Sequence, residues 1–390
     1  MPSSKNSRIH GLDTLRSIAI ALVLMHHYMA VVSSKSTFGF LSEIGWAGVD
    51  LFFVLSGYLI GNQLLSSIAQ KKNFSLKTFY IRRLLRTLPN YYVVLALFLL
   101  FPLALSGKET ASIWQFLTFT QNMDMRPGAT FSHSWSLCIE EQFYLILPIT
   151  VILISYTKKS IGLGWLVLCA AIGLAMVVRG MVWFNYGQNA ITGSDFFQHI
   201  YYSSFTRFDE LLLGVALAMF KNFHTQSYEK AVRYGNVLLV AGVAAVGVSL
   251  HLMSQFLVTD ENGINFWLTT FGYSLLAMSF SLLTLSALSP NSFLNRIKIP
   301  GAASIALWSY AIYLIHKPIF KLAVDPLNQL NINTDSYLGI AIIIAVSVLG
   351  GWILYRLVET PFMRIRNKFY SFNKVIPNAG FEKTKGLHPG

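Results

Sequence analysis

Arg16 and His27 stand eleven positions apart in the apolar stretch GLDTLRSIAIALVLMHH, residues 11 to 27. On an α-helix that separation turns through about 1,100° and leaves the two side chains about 20° apart. His26 points about 80° off the same line. Arg16 and His27 therefore share a stripe, separated by roughly 16 Å along the axis. A guanidinium at one end of such a column can hold an anion. An uncharged imidazole at the other end can take a proton from a hydroxyl. The structural alternative is an arginine snorkelling to lipid headgroups and a histidine packed between helices.

Three further constellations carry chemistry. Arg83 and Arg86, in FYIRRLLRTLPNYY at 79–92, are three residues apart and so neighbours on a helix, while Arg82 points elsewhere. Forked guanidiniums match phosphate oxygens, so the pair predicts a clamp for a cytosolic, phosphate-bearing ligand; ordinary positive-inside anchoring is the alternative. Pro89 is expected in the first turn of the next span. In SHSWSLCIEEQFYL, residues 132–145, a helix capped by Ser132 aligns His133, Ser136, Glu140 and Tyr144 on one stripe. Glu141 points about 100° away. Carboxylates at membrane depth need a polar cavity, a partner or a substrate. Glu140 is expected to serve the stripe, and Glu141 to neutralise an arginine on another helix, such as Arg207 or Arg179. Asp50, in GWAGVDLFFVLSGYLIG at 45–61, needs a partner as well, and Gly57 with Gly61 predicts close helix packing. Arg207, Asp209 and Glu210, like His316 and Lys317, read as members of a mutually neutralising network, with His316 alternatively lining an acceptor cavity.

The elements that must position these groups are membrane spans. Of the 390 residues, 54% are hydrophobic and only 12% charged, and the mean hydropathy is +0.52. A soluble domain carries about twice that charged fraction. The expected fold is an all-α integral membrane protein with about ten transmembrane helices, near 14–32, 46–64, 89–105, 141–156, 161–184, 205–220, 235–255, 265–288, 303–320 and 336–358. The short apolar run 112–123 is expected to be re-entrant or interfacial.

The N-terminus, the even-numbered loops and the C-terminal tail hold most of the 30 lysines and arginines. That bias predicts both termini cytoplasmic. The net charge of +13 is then mostly topology and implies no nucleic-acid partner. Cys138 and Cys169 give neither a disulfide framework nor a paired-cysteine metal motif, so no metal is expected. The first span reads as an uncleaved helix rather than a signal peptide. A membrane domain at 1–366 and a basic cytoplasmic tail at 367–390 complete the expected organisation.

Taken in order, GLDTLRSIAIALVLMHH, GVDLFFVLSGYLI, FYIRRLLRTLPNYY, HSWSLCIEEQFYL, RFDELLLGVALA, SYAIYLIHKPI and VETP at 358–361 resemble the acyltransferase 3 family of transmembrane acyltransferases. The resemblance covers nearly the whole chain. The family's arginine–ten residues–histidine motif lands on Arg16 and His27, its arginine-x-x-arginine motif on Arg83 and Arg86, and its serine-leucine-x-x-glutamate motif on Ser136, Leu137 and Glu140. It implies transfer of an acyl group, usually acetyl, from acyl-CoA to a hydroxyl of a cell-surface glycan or lipid-linked saccharide, in a bacterial inner membrane.

On that reading Arg16, Arg83 and Arg86 hold the donor at the inner face. Its pantetheine arm carries the thioester along the stripe, His27 acts as general base, and Glu140 orients the imidazole or stabilises the imidazolium. The acceptor meets His133, Trp135, Ser136 and Asp50 from the extracytoplasmic side, with Trp135 stacking on a sugar ring. A covalent acyl-enzyme through His27 or Ser136 is the alternative route. Some relatives carry an extracytoplasmic esterase-like domain. The expectation here is that the membrane domain finishes the transfer itself or that a separate periplasmic partner completes it. A transporter or flippase of a glycan intermediate or acyl donor is the competing function, although no inverted repeat supports it. An inactive chain serving assembly is a weaker third.

Overall fold

The computed structural model describes residues 9–71, 74–105, 111–186, 193–259 and 263–370. Ten long helices stand where ten spans are expected: α1 (His10–Tyr28), α2 (Ala47–Ala69), α3 (Leu76–Leu100), α4 (Trp135–Ser155), α5 (Ser160–Tyr186), α6 (Phe208–Phe223), α7 (Gly235–Phe256), α8 (Tyr273–Leu288), α9 (Ala302–Gln329) and α10 (Tyr337–Leu354). Among the described residues, eight helical segments are long and apolar enough to cross a membrane. The other two candidates are α6, only 16 residues long, and α9, which includes Lys317, Lys321 and Asp325. The chain is an all-α, multi-pass integral membrane protein. Its strands are a two-residue hairpin, Val258–Thr259 against Gly263–Ile264. Large apolar side chains such as Leu153, Leu166 and Val240 stay exposed on the bundle exterior, as hydrocarbon surroundings permit.

Two boundaries move in an informative way. The third helix begins thirteen residues before the expected span: Ser75 caps it by accepting from the Thr78 amide at 3.2 Å, and Pro89 lies inside it. Arginine and leucine are good helix formers, so RRLLR continues the helix and the proline removes only one i→i−4 bond. The fourth helix begins at Trp135, enclosing Glu140 and Glu141. Charge makes those positions look like a helix boundary, but a counter-charge on α3 keeps them inside. The run 112–123 forms a short helix, Ile113–Thr118, and a 3₁₀ turn, Gln121–Asp124. Tyr91 on α3 donates to the Phe116 carbonyl at 3.1 Å, which ties this run to α3.

The bundle's tightest seam joins α2 and α6. A Cβ built on Gly57 would lie 1.9 Å from the Leu211 carbonyl oxygen, and one on Gly214 would lie 2.2 Å from that of Val54. The backbones touch, as small residues at a membrane helix interface allow. Gly57→Val is expected to force the helices apart at a cost of ~3 kcal/mol, read as a lowered midpoint of thermal unfolding in detergent. An unchanged midpoint would show that the seam is not tight.

After α10 the chain passes through a π-helical turn, Tyr355–Glu359, into α11 (Thr360–Phe369). Glu359 is buried and accepts from Asn90 Nδ2 on α3 at 2.8 Å. This bond fixes α11 beside the arginine-rich start of α3. The expected tail at 367–390 thus begins within α11, and its residues 371–390 lie outside the described residues.

Candidate active site

A cavity of about 300 Å³ opens between α1, α2, α3, α4, α9 and α11. Five arginines line it: Arg16, Arg82, Arg83, Arg86 and Arg366, with Glu140 as the one carboxylate of the lining. The structure therefore brings together the three arginines expected from sequence and adds two. Arg82 belongs to the cavity despite its different helical angle; its Nη1 donates to the Tyr370 carbonyl at 2.5 Å. Arg366 arrives on α11; in sequence it lies beyond the last expected span, at the very end of the expected membrane domain, with nothing local to point it at the cavity. A long flexible side chain covers a wide arc, so a 100° offset on a helix does not exclude a shared pocket.

These guanidiniums are not equivalent. Arg83 is held: its Nη2 lies 3.6 Å from Glu140 Oε2, and its Nε lies 3.8 Å from Glu141 Oε1. Its guanidinium carbon also stacks 3.8 Å over the Tyr144 ring. Both adjacent acids thus face the same arginine, which corrects the expectation that Glu141 pairs with Arg207 or Arg179. Glu140 additionally accepts from Tyr144 Oη at 2.7 Å, one helical turn along the predicted stripe, and Tyr144 in turn meets Ser56 on α2. Arg16 and Arg86, by contrast, make no hydrogen bond or ion pair among the described residues, yet both line the cavity. Two unpartnered, half-buried guanidiniums in a concave site leave their donors for a ligand, and an anion with several oxygens satisfies them best.

Histidines lie behind the cavity wall. Ser136 and Tyr313 form part of that wall. Ser136 Oγ and Tyr313 Oη lie 2.7 Å apart, and Tyr313 Oη donates to the His133 carbonyl at 2.6 Å. The Tyr313 ring is 5.8 Å from that of His133 and 5.9 Å from that of His316. His27 Nδ1 and His316 Nε2 approach to 2.8 Å. His133 turns its edge toward both, with ring centroids 6.5 Å from His27 and 5.3 Å from His316, and its Nε2 donates to the Leu314 carbonyl at 3.0 Å. His26 is held separately on the Ser42 carbonyl at 2.9 Å.

The helical stripe thus separates His27 from His26 in space as in sequence. It does not join His27 to Glu140: the partner that reaches His27 is His316. Helix geometry cannot predict that contact, because it depends on how α9 packs against α1. His316 accordingly stands apart from the outer charge network to which the sequence reading assigned it. Among the described residues, no three His, Cys, Asp or Glu side chains are placed to hold one metal ion.

The outer network is built around two arginines that are fully buried. Arg207 Nη2 meets Asp50 Oδ1 at 2.9 Å and also engages Glu210. Its guanidinium carbon lies 4.0 Å from the Tyr273 ring centroid, 4.7 Å from that of Tyr201 and 5.4 Å from that of Trp135. Arg179 makes a bidentate pair with Asp209, at 3.0 and 2.9 Å. Asp50, expected to touch an acceptor, is instead fully buried as an arginine partner. Trp135, expected to stack on a sugar, is 4% exposed and packs on Phe53, Tyr201 and Tyr202. This region has the chemistry of a structural knot: Arg179 is taken up by Asp209, and Arg207 is shared between Asp50 and Glu210.

The model of an acyltransferase domain family, Acyl_transf_3, matches residues 9–356. The "Putative O-acetyltransferase SACOL0978" of Staphylococcus aureus strain COL is 28% identical over 374 residues, covering 91% of this chain and 57% of that protein. "O-acetyltransferase OatA" of Staphylococcus aureus strain NCTC 8325 is 28% identical over 382 residues, covering 93% of this chain and 58% of its own length. The chain therefore spans a little over half the length of these curated relatives. No solved structure matches.

Proposed function

Because this chain belongs to the acyltransferase 3 family, we propose that it transfers an acetyl group from acetyl-CoA to a hydroxyl of an extracytoplasmic glycan or lipid-linked saccharide. The observation that carries this reading is the arginine-lined cavity with its two unengaged guanidiniums, Arg16 and Arg86, at the foot of the Arg16–His27 column. Coenzyme A is cytosolic and carries several phosphates, which forked guanidiniums bind in pairs. The chain lies in a bacterial inner membrane with both termini cytoplasmic, so the cavity faces the donor's compartment. His27 lies roughly 16 Å further along α1, which suits a phosphate-anchored donor that extends its thioester into the protein.

His27 acts as general base. The imidazole takes the acceptor's hydroxyl proton as the oxygen attacks the thioester carbonyl. The carbon–sulfur bond then breaks, and the proton passes to the departing thiolate. Products are the acetyl ester and free coenzyme A, with no net proton change. Glu140 holds Arg83, and through it the donor-binding face, rather than the imidazole. Ser136 and Tyr313 form the wall that the thioester passes to reach His27, and His133 completes the far side. The acceptor meets His27 from the extracytoplasmic side, either in this chain alone or with a separate periplasmic partner.

Purified chain incubated with radiolabelled acetyl-CoA and candidate saccharides tests this. Acceptor-dependent release of coenzyme A is expected; acceptor movement across vesicles without turnover would favour a transporter and overturn the reading. Arg86→Ala is expected to raise the KM for acetyl-CoA ~10-fold or more, the value of one lost charge-assisted hydrogen bond, with kcat little changed. It is a cleaner cavity variant than one at Arg83, whose removal would leave both Glu140 and Glu141 without their ion-pair partner. An unaltered KM would remove the cavity from donor binding.

A further inference from the structure

We propose that His316 is the positioning residue for His27, fixing its tautomer and holding the imidazolium that forms when it takes a proton. This rests on the reading of His27 as the base. The argument is one of hydrogen-bond direction. His316 Nδ1 lies 2.7 Å from the Tyr313 carbonyl and 3.2 Å from that of Ile312. A carbonyl only accepts, so His316 Nδ1 carries a hydrogen. The neutral ring then has its lone pair on Nε2, and the atom 2.8 Å away, His27 Nδ1, must be the donor. His27 is left with its lone pair on Nε2, the atom not turned toward α9.

His27 Nε2 is thus the proton acceptor. When it is protonated, the Nδ1–H bond to His316 becomes charge-assisted and stronger, which holds the imidazolium until its proton passes to the departing thiolate. His133 cannot take this role. Its Nε2–H is committed to the Leu314 carbonyl, its ring is edge-on to both other histidines, and its Nδ1 makes no hydrogen bond. Glu140 is engaged by Tyr144 and Arg83. His316 itself is fully buried on α9, and α9 packs along α1, so its ring is locked by backbone on one side and presents one nitrogen on the other. The same logic governs histidines whose function depends on which nitrogen is protonated.

The test compares His316→Leu and His316→Gln in the full-length protein. Leucine removes the acceptor; glutamine restores a carbonyl oxygen near the position of Nε2. His316→Leu is expected to lower kcat ~100-fold, at the low end of what a general base contributes, with the KM for acetyl-CoA unmoved. His316→Gln is expected to recover at least ~10-fold of that loss. Wild-type kcat in the leucine variant, or a glutamine variant no better than leucine, would overturn the proposal.

Nitrogen-15 spectra of imidazole-labelled wild-type protein in lipid nanodiscs give a readout independent of turnover and of how either variant folds. His27 is expected to be hydrogenated at Nδ1, and hydrogenation at Nε2 would overturn the assignment. Activity retained by His27→Ala would instead remove the base itself, and so separates failure of the underlying reading from failure of this one.

Discussion

His27→Ala is expected to abolish acetyl transfer, lowering kcat by about 10²–10⁴-fold, the range that a positioned base contributes. The protein should still insert and accumulate. His27 is only half-buried, and among the described residues its side chain hydrogen-bonds to His316 alone. The packing of α1 rests instead on Leu15, Ala19, Ile20 and Val23, all buried. Loss of the imidazole therefore removes chemistry and leaves the seam between α1 and its neighbours in place. The KM for acetyl-CoA should stay near wild type, because the cavity arginines do not touch His27. A split between kcat and KM is what separates this variant from Arg86→Ala. Turnover with radiolabelled acetyl-CoA, normalised to detergent-extracted protein, measures both. Wild-type-like transfer by His27→Ala would exclude the histidine from the reaction. His26→Ala serves as the control, since that ring sits on the Ser42 carbonyl and outside the proposed path.

What sequence could and could not reveal follows from the range of each rule. Contacts within one helix were legible, because 100° per residue fixes them. Arg16 and His27 share a continuous helix, and Tyr144 reaches Glu140 four residues back. His133 departs from the rule: the helix expected from Ser132 starts only at Trp135, and His133 lies in a tighter 3₁₀ turn before it. The helix pattern was legible too, because long apolar runs have few other uses in a protein; among the described residues eight of the helical segments are long and apolar enough to cross a membrane. Contacts between helices were not. Nothing local links Arg83 on α3 to both acids on α4, or His316 on α9 to His27 on α1. Those pairings depend on crossing angles and on which small residues let backbones meet, as at Gly57 and Gly214. Arg366 was hidden for a related reason: its place at the cavity depends on Glu359 and Asn90 tying α11 to α3. Asp50 and Trp135 looked available for an acceptor because the sequence carries no sign that Arg207 consumes both. In each case the residue type was informative and its partner was not.

Arg207 supplies the sharpest contrast with the cavity. Arg207→Met is expected to destabilise the fold by about 3–5 kcal/mol, the cost of removing one partner from a buried ion pair. Asp50 and Glu210 would both be left in a fully buried setting with no counter-charge. Among the described residues Asp50 Oδ2 already lacks a hydrogen-bond donor, so loss of the arginine leaves this carboxylate still less satisfied. The stacked rings of Tyr273 and Tyr201 present π-faces that favour a cation and do nothing for a carboxylate. Removing the acids together with the arginine has the opposite logic. In Asp50→Asn/Glu210→Gln/Arg207→Met no net charge remains to be desolvated, and replacing a whole buried ion cluster is commonly close to neutral. The triple variant should therefore regain most of the lost stability, far beyond the sum of its single changes, as residues of one network do. Thermal unfolding followed by the monodisperse fraction on size exclusion measures both variants against wild type. A stable Arg207→Met, or a triple variant no better than the single one, would show that this cluster is not held by charge balance.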